Sequence, residues 1–64
     1  MKRKILIRYL EKNGCELYRE GSKHSVYLNR LNGKTTTILR HIEIFDILAS
    51  KICRDLDIND IKKK

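Results

Sequence analysis

Hydrophobic positions along this chain change their period twice. Between Lys4 and Lys12 they recur at helical spacing. At about 100° per residue Ile5, Leu6, Tyr9 and Leu10 fall together, with Ile7 at their margin and Lys4, Arg8, Glu11 and Lys12 on the opposite arc. Asn13-Gly14 predicts the stop, glycine being suited to a left-handed C-terminal cap. The period then becomes two. Cys15, Leu17 and Arg19 alternate with Glu16, Tyr18 and Glu20, and Gly21-Ser22 breaks the run. In the next run His24, Val26 and Leu28 are expected on the apolar face, with Ser25, Tyr27 and Asn29 on the other. Asn32-Gly33 signals a hairpin with a loop longer than the tightest type, and the β-branched run Lys34 to Leu39 predicts a third strand. The helical period returns from about Glu43 to Leu56. Ile44, Phe45, Leu48, Ala49, Ile52 and Leu56 form its stripe with Cys53 at the edge, and Ile47 is expected to be partly exposed. Asp57 to Lys64 is expected to be a tail.

The predicted class is α+β, in the order α-β-β-β-α. A three-stranded antiparallel sheet with both helices on one face buries these stripes simply. There is no proline, repeat or linker, so residues 1–64 are expected to form a single domain with its core at about 5–58. Such a length leaves no room for a two-domain enzyme with a deep cleft.

Charge narrows the function. Fifteen Lys and Arg against eight Asp and Glu give a net +7, and the sequence pI is about 9.7. That excess on so small a surface predicts a polyanionic partner. It lies in residues 1–40, with ten basic and three acidic groups, whereas 41–64 carry five of each. The longest apolar run is three residues, so no membrane span or membrane role is expected, and no signal-peptide core follows Met1-Lys2-Arg3-Lys4. A cytoplasmic location is the expectation. Cys15 and Cys53 fit the apolar patterns and are expected to be core thiols.

Chemistry centres on two histidines. His24 follows Gly21-Ser22-Lys23. Histidine can exchange a proton near neutral pH, as RNA cleavage by the RNA's own 2′-OH requires. A Gly-Ser turn offers backbone N–H groups and a hydroxyl to a phosphate oxygen. Equally, His24 shares its expected face with Val26 and Leu28 and fits a core-edge residue. Lys23, its neighbour, is expected on the opposite strand face. His41 follows Arg40 before the second helix and suits a second acid or base, a phosphate contact, or a solvated capping residue. Tyr9 is expected in the core. Tyr18 and Tyr27, on the expected polar face, suit base stacking or ordinary cross-strand pairing. Lys62-Lys63-Lys64 suits a solvated tail or non-specific electrostatic affinity. No histidine–acid set has metal-ligand spacing, and no Ser-His-Asp or P-loop pattern occurs, so no metal or cofactor is predicted.

Taken in order, Leu6-Ile7-Arg8-Tyr9-Leu10-Glu11-Lys12-Asn13-Gly14-Cys15, Gly21-Ser22-Lys23-His24-Ser25, Asn32-Gly33-Lys34 and Arg40-His41 resemble the HicA family, small toxins of toxin–antitoxin pairs also called YcfA-like mRNA interferases. The resemblance spans about residues 5–58. It implies a double-stranded-RNA-binding-domain-like fold, metal-independent cleavage of mRNA, and inhibition by a HicB-type antitoxin. It implies a catalytic His24 from the Gly-Ser-x-His signature, with Gly21 and Ser22 shaping its turn, and matches His41 to a recurrent family histidine. With it, Lys4, Arg8, Lys12, Arg19, Lys23, Arg40 and His41 are the expected RNA-binding residues. The antitoxin is expected to present an acidic or mixed-charge surface to the sheet and first helix. The family usually has proline where this chain has Leu39, which implies a looser junction before Arg40, and Lys2-Arg3-Lys4 is an unusually basic approach. The alternatives are a non-catalytic RNA-binding module of the same fold and a protein-interaction module for an acidic partner.

Overall fold

A computed structural model describes residues 1–61. The elements run α1 (Arg3–Lys12), β1 (Cys15–Glu20), β2 (His24–Asn29), β3 (Thr35–Leu39) and α2 (Asp46–Asp55). The strands form one antiparallel sheet in the order β1-β2-β3. Leu6 and Leu10 of α1 and Ala49 and Ile52 of α2 join Leu56, Cys15, Tyr27, Ile38 and Ile44 in a single core on one face of the sheet. The expected α+β layout is therefore present. Among the described residues no helix is long and apolar enough to cross a membrane. Both cysteines are free and buried, and desolvation pushes both thiols above their ordinary range.

The α1 stop is as expected. Asn13 caps the helix, and Gly14 takes a φ of 84°, where a side chain would be strained. Ile5 departs from its expected stripe and is exposed, because the helix layer meets only the Leu6–Leu10 side of α1.

The faces of β2 are the reverse of the expected ones. Ser25, Tyr27 and Asn29 point into the core, and His24, Val26 and Leu28 lie on the other face. A buried polar group is tolerated only where its hydrogen bonds are met, and each is. Ser25 Oγ accepts from Arg3 Nη2 at 2.9 Å and donates to Glu20 Oε1 at 3.1 Å. Asn29 Nδ2 donates to the Leu56 carbonyl at 2.8 Å while its Oδ1 accepts the Leu31 N–H at 2.9 Å. The aromatic bulk of Tyr27 supplies the apolar volume between them. Tyr27 is thus a core residue and unavailable for base stacking. Tyr18 is exposed.

In β1 the two-residue alternation breaks at a bulge between Leu17 and Arg19. Tyr18 and Arg19 together stand opposite Val26. Arg19 consequently joins Val26 on the helix-free face instead of following Cys15 and Leu17, and Glu20 pairs with Ser25 on the core face. Leu17 remains exposed because it lies on an edge strand.

The second helix starts at Asp46, three residues later than expected. Residues 42–44 are extended alongside the chain start: Met1 N donates to the Ile44 carbonyl, Ile44 N donates to the Met1 carbonyl, each at 2.8 Å, and Lys2 bridges Glu43. Phe45, expected in the stripe, caps the helix and is 79% exposed, as is Ile47. Leu48 sits at the exposed margin. At the other end Asp57, at a φ of 58°, closes the helix: its N–H bonds the Arg54 carbonyl and the Ile58 N–H bonds the Cys53 carbonyl. This is a Schellman cap with aspartate in the position glycine usually takes. Residues 57–61 are not a free tail. Ile58 and Ile61 pack on the core, and Tyr9 Oη donates to the Asn59 carbonyl at 2.7 Å. Lys62, Lys63 and Lys64 lie outside the described residues.

Two stability effects follow. Replacing Asn29 by alanine leaves the buried Leu56 carbonyl and the Leu31 N–H without this partner, and the expected loss is about 2 kcal/mol by urea unfolding. At the end of α2 the Asp55 carboxylate accepts from Lys51 Nζ (2.9 Å) and, across from β3, from Thr36 Oγ1 (3.0 Å), and the Lys51 bond above all holds it below the ordinary aspartate range. A carboxyl group more acidic in the folded state stabilises the fold above its unfolded pKa. That contribution is lost as pH falls through the folded value. Asp55→Asn is therefore expected to flatten the decline in stability seen below about pH 4, measured as Tm against pH.

Candidate functional site

The site is assembled at the end of the sheet where β1 turns into β2 and β3 leaves for α2. The Gly21 N–H closes the turn on the His24 carbonyl at 2.7 Å. A Cβ on Gly21 would come within 3.2 Å of that oxygen, which explains glycine there. Pairing of His24 with Leu39 sets the end of β3 beside the turn, so the next residues, Arg40 and His41, come alongside it. Ser22, Lys23, His24, Leu39, Arg40 and His41 line one shallow, open concavity. Both imidazoles are exposed. His24 thus lies at the helix-free face and is not a core-edge residue. Lys23, expected away from His24, lines the same concavity because it belongs to the turn and not to the strand.

A larger groove of about 880 Å³ adjoins this concavity and shares Arg40 and His41 with it. Lys2, Arg3, Lys4 and Arg8 line it together with Ile5, Ile7 and Ile42, and among the described residues Glu11 is its one carboxylate. The expected residues Lys4, Arg8, Lys23, Arg40 and His41 are therefore gathered along one basic track, with His24 at its end. Lys12, at the far end of α1, and Arg19, on the helix-free face of β1, line neither hollow. The basic character is partly offset, since Lys2 Nζ lies 3.2 Å from Glu43. Among the described residues no group of three or more His, Cys, Asp and Glu side chains could hold a metal ion.

A polar clasp holds the junction after β3, in place of a proline. Arg3 Nε donates to the Leu39 carbonyl at 3.0 Å, and the Arg3 backbone N–H donates to the Ile42 carbonyl at 2.7 Å. Arg40 Nη1 donates to the Gly21 carbonyl at 3.2 Å while its Nη2 lies 3.1 Å from Glu20 Oε2. Glu20 also accepts from Ser25, so Arg3, Ser25, Glu20 and Arg40 form one chain of contacts. The junction expected to be loose is therefore tied on both sides. Arg3, Glu20 and Ser25 are the residues that the pattern of the chain did not single out. Only the basic run Lys2-Arg3-Lys4 hinted at them, because their roles depend on the β1 bulge and the reversed face of β2.

The chain is thus a small α-β-β-β-α domain with two exposed histidines beside a track of basic side chains. The family model of the HicA toxin of bacterial toxin–antitoxin systems matches residues 3–58. The chain belongs to this family and is a toxin of a toxin–antitoxin system. Searches of curated proteins and of solved structures found no match.

The clasp gives an expected outcome. Glu20→Ala removes the acceptor of a partly buried hydroxyl and one half of an exposed ion pair, with an expected cost of about 1–2 kcal/mol. Glu20→Gln, which keeps an acceptor for Ser25, is expected to recover about half of it. Chemical denaturation of the two variants beside wild type measures both.

Proposed function

We propose that this toxin is a metal-independent endoribonuclease that cuts mRNA in the cytoplasm, using His24, and so arrests translation and growth. The observation that carries this is the shared concavity of His24 and His41 at the end of a track of Lys and Arg. Lys4, Arg8 and Arg40 neutralise backbone phosphates along the groove, fixing the strand without reading its bases. His24 takes the proton of a ribose 2′-OH, and that oxygen forms a bond to the adjacent phosphorus. The bond from phosphorus to the 5′ oxygen breaks, and His41 returns a proton to the leaving oxygen. The products are a 2′,3′-cyclic phosphate and a 5′-hydroxyl, with no water or redox partner consumed. Lys23 and Arg40 offset charge building on the phosphate oxygens, and the turn at Gly21 and Ser22 keeps His24 beside them. A HicB-type antitoxin silences the enzyme. A chain too small for a deep cleft suffices, because the substrate carries its own nucleophile.

Purified protein incubated with mRNA in EDTA is expected to yield cyclic-phosphate ends. His24→Ala is expected to lower the rate about 10²–10⁴-fold, while its salt-dependent RNA affinity stays near that of wild type. Equal cleavage by both proteins removes His24 from the mechanism, and RNA binding without cleavage by wild type returns the protein to a binding module.

A further inference from the structure

The two edges of the sheet are unequal. β1 carries Glu16, Arg19, Glu20 and the bulge, all features that discourage pairing with another strand. β3 reads Thr-Thr-Thr-Ile-Leu, without a charge, a proline or a bulge. Its register shows which backbone groups turn away from β2. The Asn29 N–H bonds the Lys34 carbonyl at 2.8 Å, so the pairs Asn29–Lys34, Tyr27–Thr36 and Ser25–Ile38 are the hydrogen-bonded ones. The N–H and C=O groups of Thr35, Thr37 and Leu39 therefore point away from β2. The Leu39 carbonyl is taken by Arg3. Thr35 and Thr37 face outward beside a groove between β3 and α2 that Thr37, Leu39, Ile44 and Leu48 help to line.

We infer that this edge is the docking site of the antitoxin, which adds an extended, alternately apolar segment as a fourth strand with acidic residues at its two ends. The segment's backbone takes up the outward groups of Thr35 and Thr37, and its apolar side chains enter the groove against Leu48. The charges select against a second copy of this chain. Antiparallel pairing of two β3 strands about Thr37 would set Lys34 of each copy opposite Arg40 of the other, between two molecules that each carry a net +7. Acidic ends on a foreign strand meet those same cations favourably. The strand so bound runs toward Leu39, which pairs with His24, so the rest of the antitoxin is delivered to the histidine end of the basic track. The inference rests on membership in a toxin–antitoxin family and not on ribonuclease activity, and binding alone tests it.

The test uses the toxin with its cognate antitoxin. Amide hydrogen exchange is expected to slow at Thr35 and Thr37 in the complex relative to the free toxin. Thr37→Pro removes an N–H that no sheet partner uses, and it is expected to stay folded while weakening the complex at least about tenfold. Leu48→Glu, a change at an exposed margin of α2, is expected to weaken it comparably and keeps the test open if the proline variant does not fold. Unchanged exchange at both amides, or unaltered affinity in both variants, overturns the proposal. So does concentration-dependent protection of the same amides in the free toxin accompanied by a dimer's sedimentation mass, which would make the occupant a second copy.

Discussion

The buried amide of Asn29 joins the end of α2 to the sheet and to the loop that follows β2. It sits at the end of β2, 2% exposed, with its Nδ2 donating to the Leu56 carbonyl at the C-cap of α2 and its Oδ1 accepting from the Leu31 N–H in the β2–β3 loop. Asn32 adds a second bond to the same Leu56 carbonyl at 3.1 Å. A domain this small has few apolar contacts with which to fix a helix against a sheet. Directional bonds from one buried side chain set the angle and register that packing alone would leave loose. The Leu56 carbonyl, one of the orphan acceptors of a helix end, is satisfied by the same contacts. Asp57, Ile58 and the segment after them can then fold back onto the core.

A similar economy operates at the opposite end of the sheet. There Arg3, Ser25, Glu20 and Arg40 link the first residue of α1, the end of β1, the start of β2 and the junction after β3. Their individual bonds are modest, because several of these groups are largely exposed to water. Their value is geometric. Without them the exposed turn carrying His24 and the stretch carrying His41 would share only the final rung of the β2–β3 ladder, His24 with Leu39. With them, two surface segments distant in sequence hold a fixed spacing.

The order of elements, the single sheet and the helix layer were legible in the residues because each rests on local periodicity and glycine punctuation. The faces of β2 were not. Val26 and Leu28 against Ser25, Tyr27 and Asn29 argue for burying the former, and tertiary bonds to the latter decide otherwise. The late start of α2 and the exposure of Phe45 also arise from a long-range contact, the pairing of Met1 and Lys2 with residues 43–44. For the candidate site, the motif around His24 and the basic run of α1 were readable as separate features, and they line two adjoining hollows that share Arg40 and His41. Lys12 and Arg19 fell outside it because charge alone does not say which side of a helix or of a bulged strand faces the groove.

The bulge in β1 has a further meaning for how this chain can vary. By adding one residue opposite Val26 it reverses the facing of everything between it and the turn, sending Arg19 outward and Glu20 inward to Ser25 and Arg40. Substitutions at the exposed Tyr18 leave that reversal intact. A deletion there removes the bulge yet leaves Leu17, Arg19 and Glu20 opposite Tyr27, Val26 and Ser25, so the cation and the anion keep their faces and only the local twist of the hairpin changes. In this hairpin the pairing with β2, more than the count of residues in β1, decides where the charges go.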